Sequence, residues 1–218
     1  MTDRGWTRQA RVPLTLLACF LVFATLLGIA PRYRQDWLLE NIIVAIAIPA
    51  LVIGWRRLRF SNTAYVALFA FFMLHEIGAH YTYSEVPYDR AFASLAGFSL
   101  DAALGLTRNH FDRVVHFLYG VLVTPAASEL FALRAPPKGA WRWILPVTFV
   151  MSHSVIYELV EWAAALAFGG PLGVAYLGTQ GDPWDAQQDM FLAMLGSIFS
   201  MAMLGWAAHR RNATQPSR

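Results

Sequence analysis

Charge is scarce in this chain. Asp, Glu, Lys and Arg make up only 14% of its 218 residues, where soluble domains carry about 25%. Hydrophobic residues reach 57% and the mean hydropathy is +0.43. An ordinary water-soluble domain is thereby excluded, and an integral membrane protein is indicated. Cysteine is almost missing: Cys19 stands alone inside an apolar run. No internal disulfide can form, and a zinc site needing two or more thiolates cannot be built. No repeat or low-complexity tract breaks the chain, so residues 1–218 read as one transmembrane domain. The net charge of +3 is no nucleic-acid signal. Its basic residues sit in short clusters between apolar runs, as topology signals do.

Familiar hydrolase motifs are absent too. There is no nucleophile elbow and no signature of the membrane lipid phosphatases. His75-Glu76-x-x-x-His80 puts its histidines five apart, whereas the zincin motif puts them four apart. On a helix the offset is about 140° rather than about 40°. The two rings need not serve one ion, and no protease reading follows.

Long apolar runs are present. A membrane helix needs roughly 20 such residues, and six runs qualify, over about 13–30, 37–55, 62–80, 111–133, 141–168 and 186–208. The fold expected is an all-α, polytopic bundle of about six transmembrane helices. The first run could be a cleaved signal, but Leu-Gly-Ile-Ala before Pro31 is a poor cleavage site, which favours a retained helix. Trp37, Trp55, Trp141 and Trp143 stand at span ends, where an aromatic belt belongs. With six spans, Arg4, Arg8, Arg11, Arg56, Arg57, Arg59, Arg134, Lys138, Arg142, Arg210 and Arg211 share one side. Arg32, Arg34, Arg90, Arg108 and Arg113 lie on the other. The positive-inside rule then puts both termini in the cytoplasm. A long outer connection, Tyr81 to His110, joins the third and fourth spans. Its Phe92, Leu95, Phe98, Leu100 and Leu104 could rest on the membrane or cover a site.

On this topology the ionisable residues converge at one depth. His75, Glu76 and His80 end the third span, and His110, Asp112, Arg113 and His116 begin the fourth. On the fifth span Glu158 lies about 26 Å and Glu161 about 30 Å above the cytoplasmic end. Asp182, Asp185 and Asp189 open the sixth. Glu76/His80, Asp112/His116, Tyr157/Glu161 and Asp185/Asp189 are pairs four apart, which face one way on a helix. Inward-facing carboxylates and histidines at such spacings build metal sites in bundles, and this donor mixture suits zinc, iron or manganese. The ligand set expected is His75, His80, His116, Glu158, Glu161, Asp185 and Asp189. His110, His153, Tyr157 and Asp182 are possible additions. Glu76 or Asp112 would act as base, and Arg113 would hold an anionic group.

Plainer readings compete. A lone intramembrane histidine more often hydrogen-bonds a neighbouring helix. Asp182 or Asp185 could cap the sixth helix. Glu40 and Asn41 are either support for the cluster or interfacial. Glu129 lies at the inner end, and His209 is interfacial.

Three stretches resemble the YjdF-like family of bacterial inner-membrane proteins. They are His75-Glu76-x-Gly78-x-His80-Tyr81-Thr82-Tyr83-Ser84-x-Val86-Pro87, Arg108 to Phe117, and Gly181-Asp182-x-Trp184-Asp185-x-Gln187-x-Asp189-Met190. The resemblance implies a multi-pass protein of the bacterial inner membrane and supplies no reaction. The function expected from the residues is a metal-dependent membrane hydrolase. Its substrate would be a membrane lipid or lipid-linked molecule, with a divalent transition metal as cofactor. The alternatives are a metal-ion or proton transporter, and a non-catalytic assembly or binding protein.

Overall fold

A computed structural model describes residues 3–214. Helices α1 (Asp3–Gly28), α2 (Arg34–Leu58) and α3 (Asn62–Tyr81) come first. A 3-10 turn (Tyr83–Glu85) and two short helices, α4 (Tyr88–Ala96) and α5 (Leu100–Leu104), follow. Then come α6 (Phe111–Arg134), α7 (Trp141–Phe168), α8 (Gly170–Leu177) and α9 (Asp185–Ala213). No strand occurs among the described residues.

Each of the six apolar runs is a helix. Five helices, all but α3 among the long ones, are long and apolar enough to cross a membrane. The polar last turns of α3, with His75, Glu76 and His80, set it apart. Prolines 13, 49, 125 and 146 lie inside long helices, which membrane helices tolerate because neighbours re-satisfy the freed carbonyls.

Packing is uneven. The broadest contact joins α6 and α9; α3 packs on α6 and α1, and α7 on α9 and α6. Gly120 and Gly196 explain the first. A Cβ at Gly120 would overlap the Ala193 carbonyl, and one at Gly196 the Phe117 carbonyl. Small residues let membrane helices approach backbone to backbone. Lower in the same seam the Thr124 and Ser197 hydroxyls bond each other at 2.6 Å. Glu129 ties α6 to the start of α3. Its carboxylate accepts from the Ser61 N–H and hydroxyl, both at 2.6 Å, while Ser61 caps α3 by accepting from Ala64 N–H.

Two segments differ from expectation. Gly169 to Gly173 reads as a stop, yet Gly170 opens α8, which folds back on α7 and reaches α2. Proline early in α8 costs no bond there, since the first helical N–H groups lack partners. The connection from Tyr81 to His110 is also folded. Asp89 accepts from Ser99 Oγ and the Asp101 N–H at 2.8 and 2.9 Å, and Tyr88 donates to Asp101 at 2.6 Å. This locks α4 and α5 into a hairpin with Leu95 90% exposed at its tip.

Candidate metal centre at the polar end of the bundle

The close seam of α6 and α9 brings the first turns of both helices together. Asp112 and His116 stack on α6, and Asp185 and Asp189 on α9, each pair four residues apart. One ligand-type atom from each of Asp112, His116 and Asp189 lies within 4.8 Å of the other two. His116 Nε2 is 3.5 Å from Asp112 Oδ1 and 3.5 Å from Glu158 Oε1 of α7. Ligands about 2.0–2.2 Å from a tetrahedral zinc ion stand about 3.4 Å apart, so these separations suit donors sharing one ion. Asp189 Oδ1 and Glu158 Oε1 are buried and have no hydrogen-bond partner.

The charges around them are sorted. Arg108 Nη1 meets Asp185 at 2.7 Å. Arg113 Nη2 meets Asp182 at 2.6 Å and Asp185 at 3.2 Å. The Trp184 N–H, with Arg113 and Gln188, holds the Asp182 carboxyl below its ordinary range. Both guanidiniums are therefore engaged by Asp182 and Asp185. Asp112, Glu158 and Asp189 face one another and the His116 ring. Glu161 lies beside Glu158 and Tyr157. Buried like charges at such range need protons or a cation between them.

Several expected ligands are not brought to this point. His75 is 2% exposed, but both its ring nitrogens are engaged. Nε2 donates to the Glu40 carbonyl at 3.2 Å, and Nδ1 accepts from the Tyr83 hydroxyl at 2.6 Å. His80 Nδ1 donates to the Leu27 carbonyl at 2.8 Å, tying α3 to α1. The five-residue offset sends the two rings to different helices. Glu76 is fully buried beside Asn41, and neither of its carboxyl oxygens is within hydrogen-bonding geometry of a partner. It is not among the residues that meet at His116. His153 is exposed and donates to the Phe149 carbonyl of its own helix at 2.8 Å. His110 caps α6 and takes its place through its backbone N–H, which donates to Tyr88 at 3.1 Å. Burial, then Arg113 and Arg108, hold its imidazole below the ordinary value.

A second polar group adjoins the first. Asp36 accepts from the Thr82 hydroxyl. Glu40 accepts from Tyr157 at 2.7 Å. Asp36 and Glu40, both buried, are four apart on α2, the same spacing that marks Asp112 and His116. That spacing was the available signal for them. Arg108, which completes the ion network, precedes α6 in a loop and carries no periodic signature.

A cleft of about 580 Å³ opens beside the cluster between α7, the α8–α9 loop and α9. Glu158, Asp182 and Asp185 line it together with Trp162, Leu177 and Met190.

Residues 12–211 match a family described as a predicted membrane protein, DUF2238. The chain is 34% identical over 196 residues to the inner membrane protein YjdF of Escherichia coli (strain K12), covering 88% of this chain and 90% of that protein. No solved structure matches. With its run of apolar helices, the chain is a multi-pass inner-membrane protein. Over that length of match, the chain belongs to the DUF2238 family of predicted membrane proteins.

Proposed function

We propose that this chain is a metal-dependent membrane hydrolase acting on an amphiphilic or lipid-linked substrate. The observation that carries the proposal is the meeting of Asp112, His116 and Asp189 within 4.8 Å, with Asp189 Oδ1 and Glu158 Oε1 buried and unpartnered beside them. Acid and imidazole donors of this kind suit a divalent transition metal. Such an ion supplies Lewis acidity and makes a bound water more acidic.

The chain's own residues then divide the work. Asp112, His116 and Asp189 hold the ion. Glu158, on the wall of the open cleft, takes a proton from the attacking water. It returns that proton to the oxygen that leaves when the substrate ester bond breaks. Arg108 and Arg113 keep Asp182 and Asp185 neutralised, which fixes the start of α9 and with it Asp189. The base is thus assigned to Glu158, because Glu76 lies apart from the donors.

We further propose six spans, with α3 as the sixth, both termini cytoplasmic and the polar end periplasmic. The opposite end supports this. Arg56, Arg57, Arg134, Arg210 and Arg211 fall in the last turns of α2, α6 and α9 there, and basic residues mark cytoplasmic loops.

Elemental analysis of purified protein tests the central claim. A single transition-metal ion per chain is expected, and a His116→Ala/Asp189→Asn variant that stays folded should lose it. Well-folded wild-type protein without such an ion would overturn the proposal.

A further inference from the structure

A second cavity of about 580 Å³ runs along the inside of the bundle between α2 and α7, backed by α3 and α6. Its walls are almost wholly apolar. Its polar residues include Glu40, His75, His116, Tyr157 and Ser154, most of them at the polar end. That end is closed by the 2.7 Å hydrogen bond from Tyr157 on α7 to Glu40 on α2. The side is open: Ile46 of α2 is 66% exposed and Ile156 of α7 is 55% exposed. Both helices are long and apolar enough to cross a membrane, so this opening faces hydrocarbon. Small-molecule sites typically enclose about 300–1,000 Å³ with few, placed polar groups.

One polar group inside the slot lacks a partner. Ser154 is 2% exposed, lines the cavity, and its hydroxyl makes no hydrogen bond. A buried hydroxyl left without a partner destabilises the fold unless something else accepts from it. Ser154 lies four residues before Glu158 on α7, a rise of about 6 Å, and both belong to the buried stripe of that helix. His116 joins the two spaces, since its ring lines the slot while its Nε2 faces Asp112 and Glu158.

We infer that the slot takes one chain of an acyl lipid, admitted sideways from the bilayer between α2 and α7. The chain lies along Tyr119 and Val123 of α6. The ester carbonyl just above it accepts from Ser154 Oγ, and the head group reaches His116. An acyl lipid is favoured over a polyprenyl one because only the former carries an acceptor at that height. The link to hydrolysis rests on the function proposed above; binding of the chain does not.

The test uses the full-length protein in dodecyl maltoside micelles doped with a phosphatidylcholine that carries a diazirine within one acyl chain. After irradiation, label is expected on Tyr119 and Val123, which surrounding lipid meets only through the slot. Ala47→Trp, which fills the slot, should reduce that label severalfold, and Ser154→Ala should reduce it less, while metal content stays at the wild-type level. Excess diacyl lipid should compete, and a polyprenyl phosphate should not. Label confined to outward positions such as Leu21 and Val22 of α1, or undiminished in Ala47→Trp, overturns the inference. Equal competition by the polyprenyl compound overturns the acyl assignment. Label on α6 in protein that holds no metal leaves the slot standing and removes the hydrolase.

Discussion

Tyr83 and Arg113 show what single residues contribute. Tyr83 donates to His75 Nδ1, and its ring lies where a Cβ on Gly78 would come within 2.6 Å. Tyr83→Phe removes one donor and leaves a buried imidazole nitrogen unpaired. A loss of about 1–3 kcal/mol is expected, read as a lower melting temperature in detergent with metal content unchanged. Arg113 bridges Asp182 and Asp185, and Asp185 has only 4% of its side chain exposed. Removing one partner of a buried pair costs about 3–5 kcal/mol. Arg108 remains beside Asp185, so Arg113→Ala should fall below that range, near about 2 kcal/mol. Lysine at this position should recover only part, because it lacks the planar fork that reaches two acids. A variant as stable as wild type would show that the ion network carries no weight.

Helices and loops add effects that no residue has alone. Asp112 and His116 meet Asp189 because Gly120 and Gly196 let two backbones touch. Gly196→Ala must push α6 and α9 apart. Overpacking of this kind costs about 1–3 kcal/mol and sometimes more. The variant should lose bound metal together with stability, although residue 196 touches no ligand. Retention of both would contradict the proposed coupling. The loops at the polar end carry their own pH dependence. Asp89 is held below its ordinary value by the Asp101 N–H and Ser99, and Asp182 by the Trp184 N–H and Arg113. Carboxylates lowered in this way stabilise fully above the ordinary aspartate value of 3.8. They lose that contribution as the pH falls through the lower folded value. Amide exchange in residues 88–101 and 182–185 should therefore accelerate at acid pH before the long helices respond.

At the scale of the whole molecule, most buried acids gather at one end with Arg108 and Arg113, while Arg56, Arg57, Arg134, Arg210 and Arg211 mark the other. A transport pathway would have to continue downward from the cluster. In the seam below it, Thr124 and Ser197 bond each other, and the slot beside them is apolar over most of its length. The arrangement suits a site reached by water through one cleft and by lipid through another. Its orientation is measurable. In a Cys19→Ala background, a cysteine at Trp184, which is 64% exposed, should react with an impermeant maleimide added to intact cells. A cysteine at Lys138 should react only after lysis. The reverse pattern would put the cluster in the cytoplasm.

The sequence by itself determined that this is a helical membrane protein, and where its long helices run. Apolar length and the clustering of arginines depend on solvent and chain geometry, not on neighbours. It also marked Asp112/His116 and Asp185/Asp189, because a spacing of four residues puts both on one face of any helix. Only the tertiary structure decided which faces meet. His75, His80 and Glu76 carry the same chemistry as Asp112, His116 and Asp189, yet two neighbouring carbonyls, a tyrosine and an asparagine engage or adjoin them first. Arg108, Asp36 and Glu40 entered the network because a loop and a loosely held helix fold against it. Those contacts follow from how closely helices can approach at two glycines, a property of pairs of elements that no single stretch of chain contains.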